Sequence, residues 1–99
     1  RTVVQVDMLL ENGDYAMPVE IKSTLTAEDV DDHIERIGKV REELDKRGDR
    51  RKLVGAVAGM VVAGKVREYA QRKGLYVLVQ SGDSVTVAEA SGAFKVREW

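Results

Sequence analysis

The segment that decides the fold covers residues 6–22 and reads VDMLLENGDYAMPVEIK. At its centre, Asn12 and Gly13 separate two stretches rich in residues that favour strands. An Asn-Gly pair is typical of a type I′ turn, because both residues tolerate the positive φ that this turn requires. We therefore expect a β-hairpin, with a first strand over residues 1–10 and a return strand over residues 15–22.

The return strand contains Pro18, which has no amide hydrogen to donate to a strand ladder. A bulge or irregular pairing is expected there, and the register of the hairpin is left open. A two-residue turn would place Asp7 diagonally across from Glu20, and a four-residue turn would place it directly opposite. The intermediate register would put the two side chains on different faces.

A helix is expected after the hairpin. Thr26 is placed to cap the first backbone amides, and Leu25 and Val30 occupy the positions of a hydrophobic staple. Gly48 marks the expected end of this helix. His33 lies beside the apolar stripe and is interpreted as a boundary residue rather than a metal ligand. The stripe has helical spacing and consists of Val30, Ile34, Ile37, Val40 and Leu44.

Residues 53–62 are almost continuously apolar, as a central strand covered on both faces requires. The elements expected after it are a helix over 65–73, a strand over 75–80 and an edge strand over 85–88. Apolar residues near the end of the chain, Phe94, Val96 and Trp99, are expected to cover the open end of the core. The order β-β-α-β-α-β-β predicts an α/β fold, a mixed β-sheet with flanking helices.

The composition limits the kinds of site that this chain can form. With 43% hydrophobic residues and a formal net charge of -1, its 99 residues fit a single domain rather than a disordered chain. They include no cysteine and one histidine, so any metal must be held by oxygen ligands, which favours Mg, Mn or Ca. No apolar run approaches the ~20 residues that cross a bilayer, so we expect a cytoplasmic protein without a membrane partner.

Three charged residues of the hairpin, Asp7, Glu20 and Lys22, are hard to explain as packing. Alternation along a strand puts Glu20 and Lys22 on one face, with Ile21 facing away into the core. Two carboxylates brought close together repel each other, and a divalent ion held by Asp7, Glu20 and the Ile21 backbone carbonyl would remove that repulsion. Lys22 would then orient or deprotonate an attacking water, or neutralise charge on a phosphate.

At these residues the sequence resembles the PD-(D/E)XK nuclease superfamily, which has the restriction-endonuclease-like fold. The matching residues are Val6-Asp7 before the turn and Val19-Glu20-Ile21-Lys22 after it. The wider stretches 4–44 and 53–79 look like an uncharacterised prokaryotic branch of that superfamily. The resemblance implies that Asp7 and Glu20 bind Mg or Mn, that Lys22 assists phosphodiester hydrolysis, and that nucleic acid, DNA in the first place, is the substrate.

The family core usually begins with a helix and a further strand, and here the Asp7 strand comes first. We therefore expect residues 1–99 to be a single nuclease-like domain whose upstream part is missing. The alternative function is a catalytically inactive binding or assembly module of the same fold, and a homodimer is compatible with either.

Two other patterns compete with this interpretation. Residues 59–66 match the P-loop pattern except at Val66, where that pattern has a Ser or Thr whose hydroxyl binds Mg. The glycines are therefore interpreted as close helix-sheet packing and a turn rather than as a phosphate-binding loop. A basic run could contact a phosphate backbone or form a solvated helix end and loop. This run consists of Lys46, Arg47, Arg50, Arg51 and Lys52.

Overall fold

The computed structural model describes residues 5–90, 92 and 94–99. The first four residues of the expected first strand therefore lie outside the described residues. The strands are β1 (Met8–Glu11), β2 (Tyr15–Leu25), β3 (Lys52–Leu53), β4 (Ala56–Val62), β5 (Tyr76–Ser81) and β6 (Ser84–Val87), and the helices are α1 (Ala27–Lys46) and α2 (Gly64–Arg72). The expected α/β fold and element order are confirmed, with β3 and β4 together forming the strand expected over 53–62.

The strands form one mixed sheet in the order β1-β2-β4-β5-β6, and β3 pairs with the start of β2. β2, β4 and β5 are parallel, whereas β1 and β6 are antiparallel to their neighbours. The two strand-helix-strand connections step across the sheet in the same direction, so right-handed crossovers place both helices on one face. The Tyr69 hydroxyl of α2 donates a hydrogen bond to the Asp31 carboxylate of α1, which joins the helices side by side.

The expected hairpin is present, but its turn is not of type I′. Among the described residues positive φ occurs only at Gly48, Gly74 and Gly82, so neither Asn12 nor Gly13 adopts it. Instead, Asn12 Oδ1 accepts hydrogen bonds from the backbone N–H groups of residues 14 and 15, at 2.8 and 2.7 Å. Hydrogen bonds to the Asn12 side chain therefore stabilise the turn, in place of the positive-φ backbone conformation that was expected.

Pro18 pairs with Leu9 in a regular ladder, so the expected bulge is absent. The irregularity lies in the neighbouring strand. The register that pairs Tyr15 with Lys52 and Val19 with Ala56 places Gly55 beside Pro18, in the gap between β3 and β4. The ladder is therefore interrupted where Pro18 has no N–H to donate.

The helix ends follow the sequence closely. Thr26 caps α1 in a capping box with Asp29, each side chain accepting the other residue's backbone N–H. After α1, Gly48 and Asp49 donate to carbonyls of the last turn in the Schellman pattern, at 3.0 and 2.8 Å. Gly74 ends α2 in the same way.

The core lies between the sheet and the two helices. Val30, Ile37 and Val57 are fully buried there. The opposite face of the sheet is apolar and exposed, with Met60 62% and Val85 62% accessible. The expectation that both faces of the central strand are covered therefore holds at the start of β4, where Ala56 and Val57 point to opposite faces and are both fully buried, and fails toward its end, where Met60 is exposed.

The end of the described chain packs on the sheet. The backbone N–H of Trp99 donates to the Leu53 carbonyl at 2.8 Å, and the Phe94 ring meets the Tyr76 ring edge-on at 5.6 Å between centroids. Trp99 packs against the buried core, as expected, whereas the contact shown for Phe94 is with Tyr76. No helix in the described part of the chain is long and apolar enough to cross a membrane.

Candidate functional site

Asp7 lies opposite Glu20, where the β1–β2 ladder ends. The ladder pairs Met8 with Val19, and the same register one step further brings the two acidic residues together. In place of another backbone pair, Asp7 Oδ2 accepts a hydrogen bond from the Ile21 N–H at 2.8 Å. The carboxyl groups of Asp7 and Glu20 are within hydrogen-bonding reach of each other. Of the registers left open by the sequence, the structure has the one with four residues between the paired strands.

Glu20 points toward α1 rather than into solvent. It is 4% exposed, whereas Ile21, on the other face of β2, is 44% exposed. The expectation that Ile21 faces the core is therefore wrong, because both helices cover the face that carries Glu20. A glutamate this buried is rare unless its charge is compensated.

Arg36 of α1 provides that compensation, and it was not predicted as part of the site. Its Nη1 contacts Glu20 Oε2 in a short charge-assisted hydrogen bond. The sequence contains no signal for this contact, because it depends on how α1 crosses over β2.

His33, one turn before Arg36 on α1, also lies near Glu20 Oε2. The ring is fully buried, so its interpretation as a boundary residue is wrong. Nε2 lies 3.1 Å from the Pro18 carbonyl oxygen, which can only accept, so Nε2 donates. Nδ1 has no hydrogen-bond partner among the described residues and lies 3.9 Å from Glu20 Oε2. The spacing of Val30, His33 and Ile37 along one helix face was the signal that places His33 in the core.

The two carboxyl groups differ in their affinity for a proton. The hydrogen bond from the Ile21 backbone N–H lowers the pKa of Asp7, and its contact with Glu20 lowers it further. Burial raises the pKa of Glu20, and the neighbouring Asp7 carboxyl adds to this, while Arg36 and Lys22 partly offset it. A proton taken up by the pair therefore resides on Glu20.

Lys22 lies on the same face of β2 as Glu20 and is more exposed. Its Nζ is 3.9 Å from Asp29 Oδ1 at the start of α1. Its positive charge lowers the pKa of both Asp7 and Glu20. The structure thus brings the three predicted site residues together at one end of the hairpin.

The basic run lies at the opposite end of the hairpin. The Arg51 guanidinium hydrogen-bonds to Glu11 and Asp49, both at 2.8 Å. This contact lowers the pKa of Asp49 to about 2. Arg41 in turn donates to the carbonyls of Asp49 and Arg51, each at 2.9 Å. Arg51 of the basic run and Arg41 of α1 therefore organise the loop after α1. About 13 Å of strand separates Glu11 from Asp7.

The P-loop-like segment does not form a phosphate cradle. Gly59 lies inside β4, where an added Cβ would be 3.1 Å from Val62 and 3.3 Å from Leu25, so close packing explains this glycine. Gly64 is the first residue of α2, and an added Cβ there would meet nothing within 4 Å. Gly59 is therefore closely packed, although against strand residues rather than a helix, and Gly64 lies where the chain turns from β4 into α2.

The donor set of the site consists of oxygens. Among the described residues, no group of three or more His, Cys, Asp or Glu side chains is arranged to hold a metal ion. An ion here would rest on Asp7, Glu20 and a backbone carbonyl. Mg²⁺ is commonly bound by one or two carboxylates and several waters, and a cationic group already contacts Glu20. Asp7 and Glu20 are therefore the carboxylates that could hold a divalent cation, and Arg36 already contacts one of them.

No family model, curated protein or solved structure matches the chain.

Proposed function

We propose that this domain hydrolyses nucleic-acid phosphodiesters with the help of a divalent metal ion, in the manner of the PD-(D/E)XK nucleases that its hairpin resembles. One observation supports this above all: Asp7, directly before β1, lies opposite Glu20 of β2, with Lys22 on the same face of β2. Glu20 is buried, whereas a glutamate that served only as a surface charge would be exposed to solvent. DNA is the preferred substrate in this proposal.

Each residue would have a separate role. Asp7 and Glu20 would hold Mg or Mn, together with the Ile21 carbonyl, because both backbone groups of a strand residue point toward the same neighbouring strand and the Ile21 N–H already points to Asp7. The ion would supply Lewis-acid stabilisation of the phosphate oxygen. Lys22 would orient or deprotonate the attacking water, or neutralise charge that develops on the phosphate.

The experiment is a cleavage assay on plasmid and oligonucleotide substrates with Mg²⁺ or Mn²⁺. Asp7→Asn, Glu20→Gln and Lys22→Met should each lower the cleavage rate at least about a hundredfold, since each removes a charge placed at the reacting phosphate. Asp14→Asn is the matched control, because it removes the same charge at the turn and should cleave like the wild type. Equal rates in the wild type and the three site variants would exclude catalysis at this site.

A second candidate function is a catalytically inactive binding or assembly module of this fold. The observation that favours it is the Arg36 guanidinium, which already compensates Glu20 without a metal ion. This candidate predicts no Mn²⁺ binding in calorimetry, whereas the nuclease proposal predicts binding that Glu20→Gln abolishes.

A further inference from the structure

Arg36 supplies Glu20 with positive charge from the accessible side of the site. Its side chain is 41% exposed, whereas the Glu20 side chain is 5% exposed. The ion pair therefore has one buried partner, Glu20, and one partner that solvent and a dissolved anion can reach, Arg36.

A divalent ion and this guanidinium would compete for one carboxylate. Arg36 Nη1 occupies Glu20 Oε2, and two cations on the same carboxylate repel each other. Arg36 would leave Glu20 more readily if another anion were available to pair with it than if it had to move into water. Asp32, one helical turn earlier, is a weak alternative partner, because it is exposed and exposed ion pairs contribute little free energy.

We propose that Arg36 couples metal binding to phosphodiester binding, an inference that rests on the proposed function. A planar guanidinium matches two oxygens of a phosphodiester, as it matches a carboxylate. When a phosphodiester binds the Arg36 guanidinium, Glu20 becomes free to bind the metal ion. When the metal ion binds Glu20, the guanidinium becomes free to bind a phosphodiester. By linkage, each ligand tightens the binding of the other by the same factor.

The experiment measures Mn²⁺ binding with and without dimethyl phosphate, a simple phosphodiester anion, at constant ionic strength. The electron paramagnetic resonance signal of free Mn²⁺ is the readout, so cleavage activity is not needed. Arg36→Gln should bind Mn²⁺ alone roughly tenfold more tightly than the wild type, because the competing cation is gone. Dimethyl phosphate should tighten Mn²⁺ binding at least about fivefold in the wild type and leave Arg36→Gln unchanged.

Lys39→Gln is the matched control. Lys39 lies on the same helix and pairs with Glu35 at 3.7 Å, so its replacement removes the same charge without touching Glu20. It should behave like the wild type. Arg36→Lys is the second variant, for use if Arg36→Gln does not fold. It keeps the positive charge but cannot bind two phosphate oxygens at once as a planar guanidinium does, so it should lose most of the dimethyl phosphate effect.

Two results would overturn the inference, and they can be told apart. Equal Mn²⁺ affinity and an equal dimethyl phosphate effect in the wild type and the Arg36 variants would remove the coupling and leave the metal site standing. No Mn²⁺ binding by any of these proteins would overturn the proposed metal site as well. Tighter Mn²⁺ binding in Arg36→Gln, together with loss of the dimethyl phosphate effect in the Arg36 variants and not in Lys39→Gln, would support the inference.

Discussion

The two carboxyl groups of the site are chemically alike and behave differently because their surroundings differ. Asp7 is exposed and accepts a peptide N–H, which favours its charged form. Glu20 is buried beneath α1, which favours its protonated form. A metal ion that bound both carboxyl groups would therefore have to displace a proton or the Arg36 guanidinium from Glu20, whereas the charged form of Asp7 is already favoured.

His33 gives the protein a pH dependence that can be followed at one atom, since it is the single histidine of the chain. Burial lowers the pKa of His33 below its ordinary value of 6.5. Because the folded pKa is the lower one, the stability contributed by the neutral ring is present above pH 6.5 and is lost as the pH falls toward the folded pKa. We expect the free energy of unfolding to decrease by at most about 1.4 kcal/mol per pH unit from this group.

Proton NMR of the His33 ring and urea unfolding at several pH values test this prediction. The titration midpoint should lie below 6.5, and His33→Gln should flatten the stability profile between neutral pH and pH 5. A midpoint at or above 6.5 would contradict it.

The site could be predicted in part from its residues. Asp7, Glu20 and Lys22 follow from the hairpin, because alternation and register are local properties of two adjacent strands. Arg36 and the burial of Glu20 do not, because they depend on which face of the sheet receives α1. The exposure of Ile21 has the same cause.

At the scale of elements, the packing of α1 on the sheet requires a glycine at position 55. A Cβ added to Gly55 would overlap Ile37 Cδ1 of α1 and lie 2.8 Å from Leu75 Cδ2. Gly55→Ala should therefore lower the free energy of unfolding by about 1–3 kcal/mol through overpacking.

Gly38 offers the matched control within α1, where an added Cβ would meet nothing within 4 Å. Gly38→Ala should raise the free energy of unfolding by about 0.5–1 kcal/mol, because alanine is the better helix former. Urea unfolding of both variants checks the pair. A Gly55→Ala protein as stable as the wild type would show that α1 can shift away from the sheet at little cost.

The elements themselves were largely predictable from local signals. Thr26 and Gly48 bound α1 where capping rules place them, because a cap involves residues within one turn. The turn type and the gap between β3 and β4 were not predictable in this way. The Asn12 side chain replaces a backbone conformation, and the missing N–H of Pro18 affects a strand more than 30 residues away.

At the scale of the whole molecule, the core is one-sided. Val57 of β4 is fully buried beneath the helices, whereas Met60 of the same strand lies on the uncovered face. Val57→Ala should cost about 2 kcal/mol of unfolding free energy, from lost burial and the cavity left behind. Met60→Gln should change it by no more than about 0.5 kcal/mol, as is usual for exposed positions.

Thermal or urea unfolding of these two variants measures the asymmetry. A large loss of stability in Met60→Gln would mean that the uncovered face is buried in solution. The continuous apolar run over 53–62 could not reveal the asymmetry, since a strand with one open apolar face has the same composition as one covered on both faces.

The position of Trp99 has a practical consequence for experiments on this protein. It is the single tryptophan of the sequence, its backbone N–H donates to the Leu53 carbonyl, and the Arg97 guanidinium lies 4.4 Å from the centre of its ring. Intrinsic tryptophan emission is therefore an optical report on whether the final residues stay docked beside β3. Ligand titrations at the carboxylates, which lie farther along the sheet, need a separate label.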